Sequence, residues 1–101
     1  MPRSMSLVLT LENRNASTSL HLTSLAPQTG WQSPPPRHLE PGTRQTCCIE
    51  TTDEITVTMH YGNCHIGLHM GNGIVDIEPG LAEIKHQAMS GNRAEITLKL
   101  A

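Results

Sequence analysis

Ile55-Thr56-Val57-Thr58-Met59-His60-Tyr61, then Gly62-Asn63, then Cys64-His65-Ile66-Gly67-Leu68-His69-Met70 is the stretch whose reading decides the fold. Gly-Asn between two alternating runs is a two-residue hairpin signal, because Gly accepts the positive φ that the first turn position needs. Closing the turn pairs Tyr61 with Cys64, His60 with His65, Met59 with Ile66, Val57 with Leu68 and Ile55 with Met70. The apolar residues then share one face, while His60, His65, His69, Thr56 and Thr58 share the other. A slip of one residue would put the two apolar sets on opposite faces, so the register is strongly specified.

The same alternation extends outward from the hairpin. Leu7, Leu9 and Leu11 alternate with Ser6, Val8 and Thr10 in a first strand that ends at Asn13-Arg14-Asn15. Leu20 and Leu22 alternate with Ser19, His21 and Thr23 in a second strand, expected to hairpin with the first. Residues 26–42 read as irregular, with Pro27, Gly30, Trp31, Pro34, Pro35, Pro36, Pro41 and Gly42. Three successive prolines remove backbone donors and suit an extended connection or sheet edge. A third strand is expected over 43–51.

Beyond the hairpin, Gly71-Asn72-Gly73 is a turn, Ile74, Val75 and Ile77 form a short strand, and Pro79-Gly80 closes it. Ala82, Ile84, His86 and Ala88 alternate with Glu83, Lys85 and Gln87; after Ser90-Gly91-Asn92, Ile96, Leu98 and Leu100 alternate with Glu95, Thr97 and Lys99. No segment has a sustained helical period. The pattern predicts an all-β chain, a small antiparallel β-sandwich of about seven to nine short strands in one domain over 1–101. Leu9, Leu22, Val57, Met59, Ile66, Leu68, Ile96 and Leu98 are its expected core.

Composition narrows the function. Among 101 residues, Trp31 and Tyr61 are the only aromatics other than histidine, which argues against recognition of sugars or single strands by stacking. The net charge is −2 and the seven basic residues are scattered, so the electrostatic footprint of a nucleic-acid binder is missing. Cys47, Cys48 and Cys64 make a poor disulfide framework, since adjacent cysteines rarely bridge and a strand points them to opposite faces. They read as free thiols in a reducing compartment. Arg3 precedes a short apolar run that Glu12, Asn13 and Arg14 end at once, too brief for a signal peptide. No segment is long enough for a membrane helix. The expectation is a cytoplasmic protein, or one released without a signal peptide.

The histidines raise a metal site. His60 and His65 are cross-strand neighbours close enough to share an ion. His65 and His69, four residues apart on a strand, are about 13 Å apart and cannot share one. Two ligands do not make a structural zinc site, and a cupin-like set recruiting Glu78 and His86 lacks the paired-histidine spacing. No metal or cofactor is therefore expected, and His60 and His65 are the only metal candidates. No serine lies in a Gly-x-Ser-x-Gly context, and Asp53-Glu54 or Asp76 with Glu78 read as turns and solvated faces. A non-enzymatic protein is expected.

The order Leu7-Val8-Leu9-Thr10-Leu11-Glu12-Asn13-Arg14-Asn15, Leu20-His21-Leu22, Gly30-Trp31 with Ser33-Pro34, and Pro41-Gly42 entering a Thr-rich strand resembles the aegerolysins. The likeness covers about the first half of the chain, with 56–70 resembling the next hairpin more loosely. It implies a small acidic β-sandwich that binds membrane lipids, commonly sphingolipids, with haemolysin-like members that recruit a larger pore-forming toxin partner. Trp31 carries over as the ligand-binding residue, with Arg37 and Tyr61 beside it. Trp31 reads equally as a plug over an open end of the sandwich. The chain departs from the family in having fewer aromatics and a shorter connection between Ile49 and Ile55. The other readings are an intracellular interaction domain, a homodimer joined through an exposed edge or the histidine-bearing face, and a metal-binding cupin-like protein.

Overall fold

The computed structural model describes residues 5–15, 17–26, 30–51, 54–62, 64–71 and 74–100. Arg3, Pro27, Asp53, Asn63, Asn72 and Gly73 lie outside them. In chain order the strands are β1 (Met5–Glu12), β2 (Leu20–Ala26), β3 (Trp31–Ser33), β4 (His38–Leu39), β5 (Arg44–Thr51), β6 (Ile55–Tyr61), β7 (Cys64–Gly71), β8 (Ile74–Glu78), β9 (Glu83–Ser90) and β10 (Arg93–Lys99). The all-β expectation holds. Ten strands lie among the described residues, more than the seven to nine expected, because 26–42 contains the short strands β3 and β4.

The hairpin forms in the register read from its alternation, from Ile55↔Met70 through Val57↔Leu68 and Met59↔Ile66 to Tyr61↔Cys64. Gly62 sits at φ 55°, the left-handed conformation the tight turn requires. Around it the second sheet runs β4-β2-β6-β7-β8, and the facing sheet runs β3-β5-β1-β10-β9.

Two expectations are corrected. β1 and β2 do not form a hairpin: they lie in different sheets, β1 flanked by β5 and β10 and β2 by β4 and β6. β1 also runs parallel to β10, so the sandwich is not wholly antiparallel. The physical cause lies at Asn13, whose buried side chain turns the chain out of the first sheet. Its Nδ2 donates to the Thr18 carbonyl (2.9 Å) and to the Leu39 carbonyl (2.8 Å). A central place suits β1, because Leu7, Leu9 and Leu11 are then fully covered.

Of the eight expected core residues, Leu9, Val57, Met59, Ile66, Leu68, Ile96 and Leu98 are buried, while Leu22 is half-buried and packs against that cluster. A further correction concerns β9. Its alternation put Ala82, Ile84, His86 and Ala88 on one face, but a bulge opposite Thr97/Leu98 skips Lys85, pairing Leu98 with Ile84 and Thr97 with His86. Ile84 therefore faces inward with Leu98, and His86 and Ala88 face outward with Thr97 and Glu95. Lys85 reaches across to the buried Glu12 carboxylate, with both oxygens at 3.3 Å, and Arg14 adds a third contact at 3.6 Å. The bulge thus supplies the cation that a buried carboxylate needs.

Candidate functional site

Tyr61, expected as a ligand-binding residue, does not lie on the surface. It is fully buried in the sandwich, and its hydroxyl donates to the Pro36 carbonyl. The sequence signal was available: Tyr61 belongs to the same alternating face as Val57 and Met59. Its contact with Pro36 holds the proline triplet over the end of the sheet.

Trp31 opens β3 at the edge of the first sheet, paired with Ile49. It therefore lies on the inward side, half-buried against the core. That placement agrees with the plug reading. Arg37 is exposed and lines a groove of about 700 Å³ with Leu22, Thr23, Ser24, Leu25, Pro34 and Pro35. Trp31 does not line this groove, so the three residues carried over from the resemblance do not converge.

A second recess, about 450 Å³, is lined by Gly30, Ile49, Glu50, Thr51, Glu54, Ile55 and Thr56. Its carboxylates are engaged: Ser6 Oγ donates to Glu50 (3.2 Å), and Glu54 lies 3.7 Å from His69 Nε2. Thr56 Oγ1 is bonded to His69 Nδ1 at 2.9 Å. Both ring nitrogens of His69 therefore have partners.

His60 and His65 are cross-strand partners with rings stacked at 5.2 Å, as the register implied. A second histidine pair escaped the sequence reading: His21 on β2 lies opposite His38 on β4, ring centroids 4.4 Å apart. It was hidden because His38 falls in the proline-rich stretch, where no alternation announces a two-residue strand. Among the described residues, no group of three or more His, Cys, Asp or Glu side chains could hold a metal ion.

The thiols are all free. Cys47 is buried and donates to the Leu9 carbonyl at 3.3 Å; burial, and secondarily the neighbouring Cys48 charge, push its pKa up to about 12. Cys64 donates to the Leu100 carbonyl at 2.9 Å, and burial raises its pKa too. Thiolates are the nucleophiles, so neither is activated. Cys48 is half-buried on the outer face, its Sγ 3.7 Å from Gln32 Oε1. An aromatic disulfide reagent at pH 8 is expected to label one thiol in the folded protein and all three in denaturant. Dithiothreitol is expected to leave the melting temperature unchanged. Rapid labelling of two or more thiols in the folded state would contradict the burial of Cys47 and Cys64.

The least covered element is β9. It pairs with β10 on one side and is the outer strand of its sheet. Every residue from Glu83 to Ala88 is exposed, and only Met89 is half-buried. Among the described residues, the large apolar side chains left in water are Ile74, Leu81 and Ile84, at 60%, 74% and 37% exposure. All three belong to β8, β9 and the turn between them, one side of the sandwich. An eight-residue edge with its backbone unpaired on one flank is a template for another strand. No helix among the described residues is long and apolar enough to cross a membrane. No protein-family model matches the chain, and no curated protein is significantly similar to it.

Proposed function

We propose that this protein is a non-enzymatic interaction module that works as a homo-oligomer, pairing β9 with β9 of a second copy. The observation that carries the proposal is the exposure of β9 on its free edge and on both faces beside Leu81 and Ile84. A two-fold axis normal to the sheet joins the two edges into one continuous antiparallel sheet. Charge selects the register. Centring on Lys85 would set two lysines opposite each other. Centring on Gln87 sets Gln87 against its own copy and His86 against Ala88, with no like charges opposed.

Light scattering after gel filtration is the test. The wild type should be a dimer, and Gln87→Lys should raise the dimer dissociation constant about ten-fold or more by opposing two ammonium groups. Gln87→Glu should do the same, and mixing the two variants should restore the dimer. A wild type that stays monomeric at several hundred micromolar, or a Gln87→Lys variant that dimerises normally, would sink the proposal.

The lipid-binding reading from the aegerolysin resemblance has one supporting observation. Arg37 stands exposed beside Leu22, Leu25, Pro34 and Pro35, a cation next to apolar walls that suits a phosphate-bearing headgroup. The buried Tyr61 and inward Trp31 weigh against it.

A further inference from the structure

We propose that His21 and His38 form a surface site for a divalent transition-metal ion, with Cu²⁺ held most tightly. The two residues are direct cross-strand partners on β2 and β4. Both are exposed, while their neighbours Leu20 and Leu39 face the core, so both imidazoles stand on the outer face of the second sheet. Among the described residues, no hydrogen bond or ion pair occupies their ring nitrogens, unlike those of His69.

The ring geometry separates this pair from the other. With metal–nitrogen bonds of about 2.0–2.1 Å and each ring centroid roughly 1.1 Å farther out, two cis imidazoles have centroids about 4.5 Å apart. The planes of both rings must also contain the ion. His21 and His38 have centroids 4.4 Å apart, already at that separation, in an edge contact with planes crossing at 71°, so a turn of one ring brings both planes through a shared ion. The His60 and His65 rings lie 16° from parallel, so their planes do not meet at a nearby point without rotating both rings.

The electrostatics help. Glu40, two residues along from His38 and also exposed, accepts from Ser19 Oγ at 3.2 Å and places a negative charge on the same face. With two protein ligands, water fills the remaining positions. Imidazole nitrogen suits Cu²⁺, Ni²⁺ and Zn²⁺, and the general affinity order puts Cu²⁺ first. The site also has a structural consequence. β4 is held to β2 by the pairs Leu20↔Leu39 and His21↔His38, so an ion across the second pair would staple the proline-rich connection to the sheet.

Calorimetric titration of Cu²⁺ and of Zn²⁺ into the full chain tests the site, in a Cys48→Ser background that removes the accessible thiol. One Cu²⁺ per chain is expected, bound more tightly than Zn²⁺, with an electron paramagnetic resonance spectrum showing coupling to two imidazole nitrogens. His21→Gln and His38→Gln should each weaken binding at least ten-fold and abolish the metal-induced rise in melting temperature. His60→Gln should change neither. Absence of Cu²⁺ binding, binding that survives both His21→Gln and His38→Gln, or loss on His60→Gln would overturn the assignment. None of these results depends on whether β9 pairs.

Discussion

Asn13→Ala is expected to lower the unfolding free energy by about 2–4 kcal/mol, because it leaves one buried and two part-buried backbone groups without partners at the point where the chain changes sheets. Asn13 is 0% exposed. Its Nδ2 donates to the carbonyls of Thr18 and Leu39, and its Oδ1 accepts the Asn15 amide at 3.0 Å. Its own amide donates to the Thr43 carbonyl at 2.9 Å, and its carbonyl accepts the Gly42 amide at 2.8 Å. One residue therefore joins the end of β1 to the Asx turn that leads to β2 and to β4 through its side chain, and to the approach to β5 through its backbone. Alanine keeps the backbone bonds but orphans two carbonyls and one amide, each costing about 1–3 kcal/mol where water cannot replace the partner. Asn13→Asp separates hydrogen bonding from packing. It is isosteric, yet it presents a carboxylate to two carbonyl oxygens and should be at least as damaging as alanine at neutral pH. Urea unfolding followed by circular dichroism measures both. A loss below about 1 kcal/mol for Asn13→Ala would show that the corner is held by other contacts.

What could be read in the sequence follows contact distance along the chain. The β6–β7 register is local, with a glycine turn and two alternating faces that agree, and every expected pair forms. The strand over Ile74–Glu78 and the one at Arg93–Lys99 are legible for the same reason. The parallel β1–β10 pair joins the two ends of the chain, and neither strand carries a local mark of its partner. The β9 bulge is equally silent, because Glu83-Ile84-Lys85-His86 alternates smoothly and only the buried Glu12 on β1 explains why Lys85 turns out. Tyr61 shows the opposite failure. It shares the alternating face of Val57 and Met59, yet the expected core omits it and the resemblance carries it over as a ligand-binding residue. His38 was missed because a two-residue strand offers no period. The edge character of β9 was invisible as well: alternation marks a strand, while position in a sheet depends on which strands are already satisfied.

Raising the pH above 9 is expected to destabilise the fold steeply, through groups whose pKa is raised by burial. In the unfolded chain Cys47 ionises near 9.0, whereas in the sandwich its pKa lies near 12. Between those values the unfolded chain releases a proton that the folded protein retains. The stability this thiol contributes is thus fully present below pH 9 and is lost as pH rises toward 12. At 1.36 kcal/mol per unit, the loss between pH 8 and pH 11 is about 2–3 kcal/mol from Cys47 alone. Cys64, raised by burial, adds to it with the same sign. Tyr61 joins above pH 10, its phenol raised first by burial and then by the nearby Cys47 charge. For a domain holding about 5–15 kcal/mol in total, the sum brings the fold close to its limit near pH 11. Urea midpoints measured from pH 7.5 to 11 under reducing conditions should therefore fall steeply. Cys47→Ser removes one titrating group and keeps a donor for the Leu9 carbonyl, so its curve should start lower and decline less, converging on the wild type at high pH. Parallel curves for the two proteins would mean that Cys47 titrates alike in the folded and unfolded states, and that its burial between the sheets is wrong.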